Sequence, residues 1–407
     1  MYLVYGGYFG SSTINGGIYL LELDSKTGLI RQGSSINASG DMIGTIHGSD
    51  ARPAGTLIAR PGKAPALSGA SSSIIGGADL MYNNETGYYY LFTTYGVDDT
   101  NYNIRVARST NVAGPYTDFS GSEMVRGSGN QYDKGFMLIG GYNFTSSSKG
   151  SVAYTDTGRA SVGSPTFIKT AKGVWFMASQ SQLYYKVDSS IVTGSVIAEQ
   201  EEIIVNSEPC LDIRELVWDD TGWPLALPEI FTGERASAKI KDEDMYGNWD
   251  VLVFDREGDK KDYRAVARSA SERLSIYTNA IISAKDIAEN RELNTTGILR
   301  KEGSYYKMTV DGVEYKLYPR FMWDWELEKG SLVFTGIGAD GSTIWGKKSF
   351  SPTAGMYTDA FYYLYDKCDD ALKAEADAKI EEKKSNPTQD YIDGLSKGII
   401  KRLIAVQ

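Results

Sequence analysis

The chain has 407 residues, a net charge of −10, 23% charged and 42% hydrophobic residues, which is ordinary for a globular protein and leaves room for two or three domains. An acidic balance without a basic stripe excludes nucleic acid as the expected partner, since neutralising phosphates takes clustered Lys and Arg. No apolar run reaches the roughly 18 residues of a membrane span, and the two cysteines, Cys210 and Cys368, are expected to be free thiols.

In chain order, the first runs are of β type: residues 2–5, 17–23, 88–94, 104–109, 174–178 and 213–218. With a strand at residues 2–5, no export signal is expected ahead of it. Turn sequences separate the runs. Asp24-Ser25-Lys26-Thr27-Gly28 and Asn84-Glu85-Thr86-Gly87 place Gly where a tight turn needs positive φ. Strands at this spacing with no helical pattern between them indicate an all-β architecture. The hairpins form loosely similar units of about four strands, as propeller blades do, with room for roughly three and a half before Arg235.

Near Arg235 the texture changes to a charged stretch. Further short strands follow at 305–310, 313–317, 331–335 and 342–345, with the hairpin signal Val310-Asp311-Gly312-Val313. This predicts a smaller sandwich or barrel over residues 236–352. From 353 to 407 apolar residues fall at helical spacing, and Asn386-Pro387 breaks the run into two helices, a helical hairpin. The propeller region is then 1–235.

Five stretches, in order, resemble glycoside hydrolase family 43, and within it the two-domain arabinanases. They are Tyr2-Leu3-Val4-Tyr5-Gly6-Gly7-Tyr8-Phe9 with Gly16-Gly17-Ile18-Tyr19-Leu20; Leu80-Met81-Tyr82 with Tyr88-Tyr89-Tyr90-Leu91-Phe92 and Tyr95-Gly96; Tyr102-Asn103-Ile104-Arg105-Val106-Ala107-Arg108-Ser109 with Gly114-Pro115-Tyr116; Asp220-Thr221-Gly222-Trp223-Pro224; and Phe334-Thr335 with Trp345-Gly346. The resemblance covers roughly residues 1–350. It implies a five-bladed propeller, incomplete at its amino-terminal side in this chain, with a cleft for an arabinan-type polymer. It also implies inversion at the sugar by two carboxylates spaced to admit a water, with a third tuning the acid.

The resemblance places the base and the tuning carboxylate upstream of Met1. It places the acid at Gly76, in Ser73-Ile74-Ile75-Gly76-Gly77-Ala78-Asp79, and glycine has no proton to give. Asp79 is the nearest carboxylate. Three residues along a regular strand it faces the other way, so it substitutes only if a bulge intervenes. Asp50 and Asp98 are the remaining suggestions for a carboxylate. Tyr8, Phe9 and Tyr95 are the aromatic residues expected to stack on sugar, with Asp98 beside them.

The family's metal-supporting His corresponds to Ser164, and the single histidine, His47, sits in a loop-like segment, so no metal or other cofactor is expected. The expected activity is therefore reduced or lost. The alternative is a carbohydrate-binding propeller without catalysis, or a fragment that needs a partner chain. An open propeller edge or the helical tail is the expected place for self-association. Relatives of this kind are commonly exported, and the compartment stays open.

Overall fold

A computed structural model describes residues 1–8, 16–29, 55–61, 74–96, 102–125, 134–145, 154–187, 208–233, 240–254, 268–276, 281–283, 299–324 and 329–348, together with 370, 371, 374 and 378. Twenty-one strands are defined among them. Strands β1 (Tyr2–Tyr8), β2 (Gly16–Glu22) and β3 (Thr56–Ala59) form the first sheet. Strands β4 (Ile74–Asn83), β5 (Tyr88–Gly96), β6 (Asn103–Ser109) and β7 (Phe136–Ile139) form the second, in sequential antiparallel order.

The third sheet takes β8 (Gly141–Thr145), β9 (Tyr154–Lys169), β10 (Trp175–Val187), β11 (Cys210–Trp218) and β12 (Pro224–Ala226), and adds β14 (Arg268–Ala270) in parallel beside β8. The fourth sheet has eight antiparallel strands. Its order is β16 (Ile281–Ser283), β15 (Glu272–Ile276), β13 (Gly247–Phe254), β21 (Thr343–Lys348), β20 (Lys329–Gly338), β19 (Val313–Asp324), β18 (Tyr305–Val310) and β17 (Arg300–Glu302).

The architecture is all-β. Where three and a half blades were expected before Arg235, the described residues make three sheets. In the third of these, β9 and β10 are 16 and 13 residues long, and β8 pairs with β9. The two helices of the expected hairpin lie outside the described residues, apart from the helical positions Asp370, Ala371, Ala374 and Ala378. Arg235 also lies outside them.

Local sequence accounts for the turns. Gly28 (φ +71°) and Gly87 (φ +74°) take the left-handed conformation that a Cβ disfavours. Asp311 and Gly312 both have positive φ in the two-residue turn between β18 and β19, as an Asp-Gly hairpin requires. Asp219 closes the β11–β12 turn by accepting from the Thr221 and Trp223 amides.

The sheets stack face to face. Ile18, Leu20 and Ile58 of the first sheet meet Ile75, Leu91 and Tyr95 of the second in one buried cluster. The other face of the second sheet carries Phe92, whose ring lies 3.9 Å from Phe167 of β9. A larger cluster runs through the second and third sheets into the fourth, including Met81, Phe136, Trp223, Phe254 and Trp345. The Trp345 indole donates to the Ala226 carbonyl at 2.8 Å, so the fourth sheet is tied to the third by packing and by hydrogen bonding.

Charge is buried at the same junction. Lys347 Nζ lies 2.7 Å from Glu229 and 3.1 Å from Asp324, with all three side chains under a tenth exposed. Nearby, Arg214 donates to the Tyr142 hydroxyl at 2.7 Å and to Asp212 at 3.3 Å, and Asp212 also accepts from Ser181. Burial pushes the Tyr142 hydroxyl up, so it stays protonated beside that guanidinium. Paired in this way, the charges are tolerable in a low-dielectric interior, whereas any of them alone is not.

Candidate functional site

The candidate site is the place where β1, β4 and β9 come together, and glycine makes the approach possible. A Cβ built on Gly6 of β1 would sit 3.7 Å from the Gly76 Cα of β4. On the other side of β4, a Cβ on Gly77 would come within 3.1 Å of the Ser164 Cα of β9. Small residues thus bring three strands from three different sheets together. Gly76 is the exception among them: a Cβ there would meet no atom of the described residues within 4 Å.

The pairing of β4 with β5 is irregular at this point. Gly76 opposes Thr94 and Asp79 opposes Phe92, so Gly77 and Ala78 together face the single residue Thr93. This is a β-bulge, and Gly77 takes the left-handed conformation within it (φ +47°). Directly opposed residues share a face, and Thr94 and Phe92 are two apart on β5, so Gly76 and Asp79 lie on the same face of the sheet. The alternation expected of a regular strand would have turned Asp79 away. The bulge corrects that expectation.

Asp79 is nevertheless engaged. Its Oδ1 accepts from the Leu80 amide at 2.8 Å, and its Oδ2 accepts from Thr166 Oγ1 of β9 at 3.0 Å. As placed, it is an acceptor that ties the second sheet to the third.

Ser164 is exposed and has positive φ (+52°), rare for a residue with a side chain. Its amide donates to Thr94 Oγ1 at 2.8 Å. Ser161, also at positive φ, donates its hydroxyl to Gln182 at 3.0 Å. Among the described residues no three His, Cys, Asp or Glu side chains converge to hold a cation.

Of the remaining sequence candidates, Tyr95 is described in full. Tyr95 is fully buried between the first and second sheets, its hydroxyl donating to the Arg60 carbonyl at 3.3 Å. Its ring belongs to the core and offers no face to a sugar, a correction to the stacking role expected of it. Tyr8 ends β1, a strand that reaches this junction, and nothing is described of its side chain. Phe9, Asp98, His47 and Asp50 lie outside the described residues. On β1 itself, Tyr5 stacks on Tyr19 at 5.9 Å, and burial, with Tyr19 second, pushes its hydroxyl up to about 12.

Two further motifs resolve structurally. The sequence Asn143-Phe144-Thr145, which has the form of a glycosylation sequon, lies on β8, where Asn143 is paired on both sides, with Gly158 of β9 and Ala270 of β14. Cys210 is a free thiol on β11.

Comparison with known proteins gives this arrangement its relatives. The family model of the GH43 C-terminal lipocalin-like domain matches residues 228–346, which span most of the eight-stranded sheet. The chain is 26% identical over 360 residues to the extracellular endo-α-(1→5)-L-arabinanase 2 of Bacillus subtilis. It is 25% identical over 355 residues to the extracellular endo-α-(1→5)-L-arabinanase of Thermotoga petrophila. These matches cover 86% and 85% of the chain and 61% of each relative, so the chain spans about three fifths of their length.

Among solved structures, the endo-1,5-α-L-arabinanase of Thermotoga petrophila is similar with a TM-score of 0.60 at 22% identity, over 86% of this chain and 64% of that one. The glycoside hydrolase family 43 YxiA protein of Bacillus licheniformis is similar with a TM-score of 0.59 at 23% identity, over 85% and 64%. The fold is shared with both.

Proposed function

Because the chain belongs to the glycoside hydrolase family 43 arabinanases, we propose that it engages arabinan-type oligosaccharide where β1, β4 and β9 meet, and that these 407 residues turn it over slowly or not at all. The observation that carries the reading is the chemistry at Gly76. Cleaving a glycosidic bond needs a proton delivered to the leaving oxygen while water attacks from the opposite face. The position matched to that acid has no side chain, and the carboxylate on the same face, Asp79, spends both oxygens as acceptors. Binding asks for less, namely a shaped surface and a few hydrogen-bonding groups. Ser164, which is exposed, and the open space above Gly76 supply part of that.

A second reading is favoured by one observation, the bulge that aligns Asp79 with Gly76. In it, Asp79 releases Thr166 when sugar binds and delivers the proton itself. Calorimetric titration with linear α-(1→5)-arabino-oligosaccharides, beside reducing-sugar release from linear arabinan, separates the two. Binding without release supports the first reading. Release that disappears in Asp79→Ala replaces it with the second. Absence of binding by the folded protein ends both.

A further inference from the structure

The bulge of β4 has a counterpart on β9. Thr166 opposes Ala178 of β10 and Gly163 opposes Gln180, so Ser164 and Pro165 together face the single residue Ser179. Each bulge opens on a left-handed residue, Gly77 (φ +47°) on β4 and Ser164 (φ +52°) on β9. One side chain clasps both, that of Thr94 on β5, which stands opposite Gly76 and is buried. Its Oγ1 accepts from the Ser164 amide at 2.8 Å and, in a longer contact of 3.5 Å, donates to the Gly77 carbonyl. Its methyl occupies the space over Gly163, where a Cβ would come within 2.8 Å of Thr94 Cγ2. A Cβ on Gly77 would come equally close to Thr94 Oγ1.

A residue with a Cβ keeps a positive φ only where its surroundings fix it. At Ser164 the ladder is interrupted, so the fixing falls to the Thr94 hydroxyl. The same hydroxyl touches the bulge that turns Gly76 and Asp79 to one face. We infer that Thr94 is a positioning residue, which sets how the β4 and β9 bulges stand to each other and so shapes the surface that Gly76 and the exposed Ser164 offer to a sugar. It acts through Gly77 and Ser164 and is not itself a sugar contact. The inference rests on the reading of this junction as the place where arabinan-type oligosaccharide is engaged. It is independent of whether that sugar is hydrolysed. A site of this kind is only as well defined as the side chains that lock its framework.

The test compares Thr94→Val, which keeps a methyl and loses the hydroxyl, with Thr94→Ser, which keeps the hydroxyl. Thr94→Ala takes the place of Thr94→Val if the latter does not fold. Two readouts are taken on the 407-residue chain: hydrogen–deuterium exchange of the Ser164 amide by mass spectrometry, and calorimetric titration with linear α-(1→5)-arabino-oligosaccharides. In Thr94→Val, exchange at Ser164 is expected to quicken and affinity to fall, each by at least about tenfold, as misplacing a framework group commonly does. Thr94→Ser should bring both back to within about threefold of the parent, since the hydroxyl carries the tie. Ser342→Ala removes a buried hydroxyl that bonds Tyr315 in the fourth sheet, and controls for stability: its affinity should match the parent's even where its urea midpoint falls. Three results overturn the inference: unchanged Ser164 exchange in Thr94→Val, faster exchange with unchanged affinity, or an affinity loss in Ser342→Ala as large as that in Thr94→Val. Absence of binding by the folded parent is a different failure. It ends the reading of the junction as a sugar site and the positioning role with it, while exchange still shows whether Thr94 clasps the two bulges.

Discussion

Gly76 and Asp79 lie on the same face of β4 although three residues separate them, because Gly77 and Ala78 bulge against the single residue Thr93. This puts a position without a side chain and an engaged carboxylate side by side on the face that looks toward β9. Gly76→Glu tests what the missing side chain is worth. Its Cβ meets no atom of the described residues within 4 Å, and its backbone lies outside the left-handed region, so stability should change by less than about 0.5 kcal/mol. Because the resemblance puts the base outside these residues as well, reducing-sugar release from linear arabinan is expected to rise by less than about tenfold, short of the roughly 10²–10⁴-fold worth of an acid acting with its base. A rise of the full size would mean that a carboxylate within these residues serves as the base.

Asp79 and Thr166 hold the second and third sheets together through one hydrogen bond at 3.0 Å. Asp79→Ala, Thr166→Val and the double variant should give a coupling energy of about 0.5–1.5 kcal/mol in urea unfolding. Additive effects would place Asp79 outside any structural tie and strengthen its reading as a proton donor.

Lys347 is the ammonium between two buried carboxylates, Glu229 and Asp324. Lys347→Met leaves both buried without it and should cost about 3–5 kcal/mol. Lys301→Met removes an exposed partner of Asp242, a pair that solvent screens, and should move the urea midpoint far less. Comparable urea midpoints for the two variants would contradict the difference in burial.

Asp242 begins the 3-10 turn Asp242–Met245, whose Met245 carbonyl accepts from the Trp249 indole. Hydrogen bonds from Lys301 and Tyr306 hold its carboxyl below the ordinary value of 3.8. A depressed carboxyl contributes stability that is present above its unfolded value and lost as pH falls through its folded one. Lys301 is raised above 10.5 chiefly by the same hydrogen bond, so its contribution is present below that value and lost as pH rises past it. The difference in melting temperature between the parent and Asp242→Asn should therefore stay level between about pH 5 and pH 9 and shrink below pH 3.8. A difference that grows on acidification would reverse the sign and remove the tie.

Much of the fold is legible in local sequence because turn chemistry and alternation are local properties. Asp311-Gly312 reads as a hairpin because two successive positive φ values suit few other pairs, and the 305–310 strand falls where its alternation begins. The family resemblance is carried by the same kind of signal, strands and turns in a fixed order. The bulge at Gly77 was not legible. A Gly-Gly pair in a strand permits a bulge, but only pairing with β5 decides that two residues oppose one. Tyr95 was misjudged for a related reason, since an aromatic at a strand end reads alike whether the next layer is solvent or another sheet.

What the sequence by itself determined is the all-β class and the turn positions, since each follows from residue identity and short-range stereochemistry. Tertiary structure alone decided that Asp79 shares Gly76's face, that Lys347 has two buried carboxylate partners, and that β14 leaves its neighbours in sequence to pair with β8. Each of these joins residues from different strands, in the case of Lys347–Glu229 and of β8–β14 more than a hundred positions apart, and such contacts are set by how whole sheets stack and not by any periodicity along the chain.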